Sequence, residues 1–125
     1  MPLIPNKREF LARRLRDAGV LAVLERAAAK PGLLVLTYHR IGTFADYPDD
    51  YAPILSAAPD GFREQIRRLR DAFRVLTLDE AVGLAESGFP LKEPAALVTF
   101  DDGYRDNVEV ALPILTNLGD RKSVV

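Results

Sequence analysis

The sequence predicts an α/β fold with parallel strands, on three observations. Two short, continuously apolar runs, residues 33–38 and 95–100, read as strands buried on both faces. Helical patterns lie between them, a connection suited to parallel rather than hairpin neighbours. Polar residues stand just past each run: His39-Arg40 after the first, Asp101-Asp102-Gly103 after the second. Strand ends of this kind are where α/β folds gather their chemistry.

The bulk properties narrow the function classes. At 125 residues, 48% hydrophobic and 28% charged, the chain is long enough for one modest domain and is not of disordered composition. A net charge of −1 gives no bulk argument for nucleic acid or an anionic surface. The charge is unevenly spread, with residues 1–30 at +4 and the remainder at −5. Without cysteine, disulfides, zinc–thiolate sites and cysteine nucleophiles are excluded. No apolar run approaches the ~20 residues a membrane-spanning helix needs, and no signal-peptide pattern precedes the charged stretch. The expected location is therefore cytoplasmic.

Two units are expected: a basic helical segment over residues 1–31, and an α/β unit over 32–125. In the first, Phe10, Leu11, Leu15, Ala18, Leu21 and Ala22 recur near a 3.6 period, Gly19 is the weak point, and Pro31-Gly32 stops the helix. Its basic side chains read as a solvated face; the competing reading is a membrane-surface or partner-docking helix. The first strand follows, then a loop-like stretch over 43–59 with three prolines.

Asp60 is the expected N-cap of a helix with Phe62, Ile66, Leu69 and Phe73 inward. Residues 74–76 suit a short strand. Thr77-Leu78-Asp79-Glu80 fits a capping box, opening a helix that would bury Leu78, Val82 and Ala85 and end at Gly88. The second apolar strand leads to Asp101-Asp102-Gly103. Beyond it, Val108, Ala111, Leu112, Leu115 and Leu118 predict a helix, with Asn107 as cap, Gly119 as end, and Pro113 either kinking it or delaying the start to near Leu112. The tail, 120–125, is too short and charged for a further strand.

Adjacent strand residues point to opposite sides, so Asp101 and Asp102 can serve one site only if the chain turns there, which Gly103 permits. One carboxylate could then hold a divalent cation while the other takes a proton from water. A bare Asp-Asp-Gly is more often an ordinary turn. Its context is more specific: Val98-Thr99-Phe100-Asp101-Asp102-Gly103-Tyr104 resembles the first motif of the polysaccharide deacetylases, carbohydrate esterase family 4, the NodB homology domain. Three further segments fit the family in order: Leu36-Thr37-Tyr38-His39-Arg40-Ile41, the Phe62…Gln65…Leu69 helix, and Ala111-Leu112-Pro113-Ile114-Leu115 with Gly119.

The resemblance, over roughly residues 33–119, implies a distorted (β/α) barrel of which this chain holds an incomplete, N-terminal part. It implies a metal-dependent hydrolase that removes N-acetyl or O-acetyl groups from an acetylated amino-sugar polysaccharide or oligosaccharide. Asp101 matches the catalytic base and Asp102 the metal ligand; His39 and Tyr104 are expected to line the substrate site. The metal would be zinc, or cobalt or nickel. The family completes its metal site with two histidines of a later motif, whereas this chain has a single histidine, His39. A truncated metal site is expected, and with it weak metal binding and no detectable deacetylation by the chain alone; the alternative function is an inactive remnant or interaction fragment. The family also leaves an extracytoplasmic location open.

Two other carboxylate chemistries fit worse. A receiver-like module needs an aspartate ending a further strand, and neither Asp106 nor Asp120 follows one. A haloacid-dehalogenase-like phosphatase needs aspartates two apart, where this chain has Gly103.

Overall fold

The computed structural model describes residues 7–43, 55–88 and 91–119. A long helix, α1 (Lys7–Ala28), leads into strand β1 (Gly32–Tyr38). Two short strands follow, β2 (Arg40–Ile41) and β3 (Leu55–Ala57), then helix α2 (Pro59–Ala72) and strand β4 (Arg74–Val75). Helix α3 (Leu78–Ser87), strand β5 (Pro94–Phe100), a π-helical turn (Asn107–Ala111) and helix α4 (Leu112–Asn117) complete it. No helix among the described residues is long and apolar enough to cross a membrane.

The main sheet is parallel and its order is β1-β5-β4, with Gly32 to Tyr38 in register with Pro94 to Phe100. A second, two-stranded parallel sheet pairs β2 with β3. In the main sheet the chain steps past β5 to reach β4, then back to β5. Right-handed crossovers run in opposite directions put their helices on opposite faces. The side chains obey this. Leu34, Leu36 and Tyr38 of β1 and Ala96, Val98 and Phe100 of β5 meet α1, α2 and α4 in the larger core, while Ala95 and Leu97 meet α3 on the other face. The α/β, parallel character expected from sequence is present; over the described residues the sheet is open, and no closed barrel is formed.

The first strand departs from expectation. Only one of its faces is covered, and Leu33 and Val35 are 39% and 50% exposed. Its sequence matches that of a sandwiched strand, but α3 packs on β5 and on Leu76 just past β4, not on β1. The corresponding β5 residues, Ala95 to Val98, are all buried.

Helix α2 turns Phe62, Gln65, Ile66 and Leu69 inward. It begins one residue before the expected cap: Ala58 is the N-cap, and Asp60 sits in the first turn, where its charge favours the helix N-terminus. At α3, Thr77 and Glu80 form the reciprocal capping box, and Gly88 closes the helix at φ +64°. Its buried stripe differs from the expected one. Leu78, Val82 and Ala85 are exposed, and Ala81 with Leu84 packs on β5. The helix carries two apolar stripes, and periodicity cannot choose between them.

Helix α1 runs unbroken through Gly19. Leu24 is its most buried residue, with Val20, Leu21, Ala27 and Ala28 beside it, whereas Leu11 and Leu15 are 58% and 65% exposed. In the last helical stretch Asn107 is not a cap; it is fully buried within the π-helical turn. Helical backbone already begins at Arg105, so Pro113 does not delay the start; the interruption ahead of it takes the form of the π-helical turn, and α4 turns Ile114 and Leu115 inward, leaving Val108 and Leu112 exposed. The tail 120–125 and most of the 43–59 loop lie outside the described residues.

Candidate active site

The site is built at the C-terminal ends of β1 and β5. The ladder between them continues one residue past the strands, because the Asp101 backbone N–H donates to the Tyr38 carbonyl at 2.8 Å. Asp101 is thereby fixed beside the residue that follows Tyr38. The His39 Nε2 atom lies 3.8 Å from Asp101 Oδ2, with both side chains partly exposed. At that separation the two form an ion pair when the imidazole is protonated, but not a close hydrogen bond. The chain then reverses through two consecutive left-handed residues, Asp102 at φ +69° and Gly103 at φ +60°. The left-handed conformation is unfavourable for a residue with a side chain, aspartate being among the better tolerated. Here it breaks the strand alternation that would otherwise send Asp101 and Asp102 to opposite sides. Both carboxylates stand exposed at the rim.

Beneath this rim lies a polar cluster that periodicity and motif reading did not single out. The Arg40 Nε donates to Asp106 Oδ2 at 2.9 Å, and both residues are buried. Asp106 Oδ1 accepts from the Ile41 backbone N–H at 3.3 Å. The Asn107 side-chain amide, with its nitrogen turned toward them, donates to the His39 carbonyl at 2.9 Å and to Asp106 Oδ1 at 3.2 Å. The guanidinium of Arg40 sits over the Tyr104 ring, 4.5 Å from its centroid. The exit of β1 is thus bound at several points to the helix that follows the aspartate turn. Of the residues expected at the site, His39 and Asp101 are brought together, Asp102 forms the turn, and Tyr104 covers Arg40 rather than standing free. The only sequence signal for the clamp is an arginine two residues past one strand and an aspartate soon after the other.

A second polar pair supports β1 from below. The Tyr38 hydroxyl donates to Gln65 Oε1 at 2.7 Å, inside a cluster with Phe62 and Phe100. Burial pushes the Tyr38 phenol well above its ordinary pKa. Gln65 Nε2 is buried and has no hydrogen-bond partner among the described residues. On the open face of the sheet the Thr37 and Thr99 hydroxyls meet at 3.1 Å.

A catalytic zinc site takes three protein ligands and keeps one position open. Among the described residues no three histidine, cysteine, aspartate or glutamate side chains converge to hold a metal.

Comparison with known proteins gives one informative match. No protein-family model and no curated protein sequence matches the chain. Among solved structures, IcaB from Ammonifex degensii is similar at 31% sequence identity with a TM-score of 0.59. The fold is deacetylase-like. The likeness covers 72% of this chain and 36% of the IcaB chain, so the chain spans about a third of that structure's length.

Proposed function

We propose that this chain carries the first part of a metal-dependent polysaccharide deacetylase domain, acting on acetylated amino sugars. The observation that supports it best is the Thr99-Phe100-Asp101-Asp102-Gly103-Tyr104 segment at the end of a central parallel strand, on a deacetylase-like fold, with Asp101 beside His39.

In this reading Asp101 is the base that takes a proton from the attacking water, and His39 stands beside it at the mouth of the site. Hydrolysis forms a carbon–oxygen bond at the acetyl carbon and breaks the carbon–nitrogen bond. The proton passes to the departing amine, leaving acetate and a free amino sugar. A divalent cation, zinc or else cobalt or nickel, supplies polarisation of the acetyl carbonyl when bound, and Asp102 is the ligand this chain offers it. Because the described residues do not complete a ligand set, the chain by itself is expected to bind zinc weakly and to release no detectable acetate.

Zinc titration of the 125-residue chain tests the ligand assignment: binding should be weak, lost in Asp102→Asn and kept in Asp101→Asn. Zinc affinity indifferent to Asp102→Asn would overturn it. Amide shifts on adding acetylated chitooligosaccharide test the substrate class and should cluster at His39, Asp101 and Tyr104. Shifts confined to other regions, or acetate release that survives Asp101→Asn, would count against the proposal.

A further inference from the structure

Helix α1 is apolar on two opposite sides. One side packs into the core through Val20, Leu21 and Leu24. The other carries Leu11 and Leu15, 58% and 65% exposed, followed by exposed Ala18 and Ala22. Residues 11, 15, 18 and 22 are spaced four, three and four apart, the seam of a coiled coil. The order along this seam is two large residues and then two small ones.

That order selects an orientation. In a parallel pair, leucine would meet leucine and alanine would meet alanine, leaving the second half of the seam poorly filled. In an antiparallel pair with its two-fold axis between residues 16 and 17, Leu11 faces Ala22 of the second copy and Leu15 faces Ala18. Every layer then sets a large residue against a small one, which lets the helices approach closely. Gly19 lies beside the seam with open space around it. The next layer outward in the same register sets position 8 against position 25, an arginine against a glutamate, and two-fold symmetry supplies that pairing twice. Glu25 is well exposed, and Arg68 lies 3.8 Å from its carboxylate.

We propose that α1 is a self-association surface, pairing antiparallel with α1 of a second copy of this chain. The seam is short, so the dimer is of the weak, transient class and forms at high micromolar concentration. The proposal is independent of the deacetylase reading.

Sedimentation equilibrium of the full chain should show a monomer–dimer equilibrium. Leu15→Glu should leave only monomer, with an unchanged thermal melt. Arg8→Glu and Glu25→Arg should each weaken association by about tenfold, since each sets like charges at positions 8 and 25 twice per dimer, and the double variant should restore it. Because the chain has no cysteine, orientation can be read by cross-linking. The two copies of Ala18→Cys would lie ~4.5 Å apart along the helix axis and should join, whereas those of Leu11→Cys, ~16 Å apart, should not. A monomer at every concentration would overturn the proposal, as would association indifferent to Leu15→Glu, equal cross-linking at both positions, or binding to anionic vesicles with no self-association.

Discussion

Arg40 and Asp106 form a buried ion pair at 2.9 Å although they stand 66 positions apart in the chain. Asp106 also holds the Ile41 backbone, and the neighbouring Asn107 holds the His39 carbonyl. The pair therefore fastens the segment carrying His39 to the helix that follows the aspartate turn. Removing one partner leaves the other as an uncompensated buried charge. Arg40→Ala should cost about 3–5 kcal/mol, the range for breaking a buried pair. Urea unfolding would measure it, and a loss below ~1 kcal/mol would mean the charges are solvated well enough not to need each other.

The Tyr38–Gln65 contact makes a prediction whose sign depends on which partner is left behind. Tyr38→Phe should destabilise by about 1–3 kcal/mol, because Gln65 would then have neither end of its amide satisfied by Tyr38. Adding Gln65→Met to Tyr38→Phe should recover much of that loss, since both polar groups are then gone. A double-mutant cycle in urea tests the coupling; additive losses would show that the pair is not an energetic unit.

The same tyrosine gives a pH dependence. Burial raises its pKa above the ordinary value of 10.0, so above that pH the unfolded chain loses the phenolic proton while the folded chain keeps it. Fewer protons are then bound in the unfolded state, and stability falls as pH rises. Below pH 10 the group contributes no slope. Unfolding followed from pH 9 to pH 11 should show the decline in the parent chain and a shallower one in Tyr38→Phe; equal slopes would contradict the assignment.

Asp102 adopts a left-handed conformation that glycine takes without penalty. Asp102→Gly should therefore leave thermal stability unchanged or raise it by up to ~1 kcal/mol, while Asp102→Val should lower it by at least that much. Both should abolish zinc binding if this carboxylate is the ligand. The contrast between the two variants in a thermal melt separates backbone strain from loss of the side chain.

Thr77→Ala removes one half of the capping box at α3, in which Thr77 Oγ1 accepts from the Glu80 N–H at 3.1 Å and the Glu80 carboxylate accepts from the Thr77 N–H at 2.8 Å. A loss of about 0.5–2 kcal/mol is expected, and Thr77→Ser should recover most of it. Equal losses for the two substitutions would point to the methyl group rather than the hydroxyl.

What could be read from the sequence was local. The capping box at Thr77 and the inward stripe of α2 both depend on residues within a few positions of each other, and the structure places them as expected. The resemblance of residues 98–104 to a deacetylase motif likewise needed one short segment. Two local cap assignments, Asp60 and Asn107, also failed, but the larger misses were non-local. Whether Leu33 and Val35 are covered depends on where α3 lies, which the strand cannot encode. Whether Leu78 or Ala81 faces inward depends on which of two apolar stripes meets β5. The Arg40–Asp106 pair was invisible because nothing in either segment names its partner.

The strand order carries a consequence for assembly. The central strand, β5, is made after both of its neighbours, and its β1 partner is 62 residues behind it. During synthesis β1 and β4 can emerge without touching, since the strand that joins them is still missing. No part of the main sheet can therefore gain its hydrogen-bonded neighbour until residues 94–100 have left the ribosome. Loop-closure entropy must be overcome before any ladder forms, which predicts slow, late folding and a nascent chain whose apolar strands stay open to other contacts until that moment.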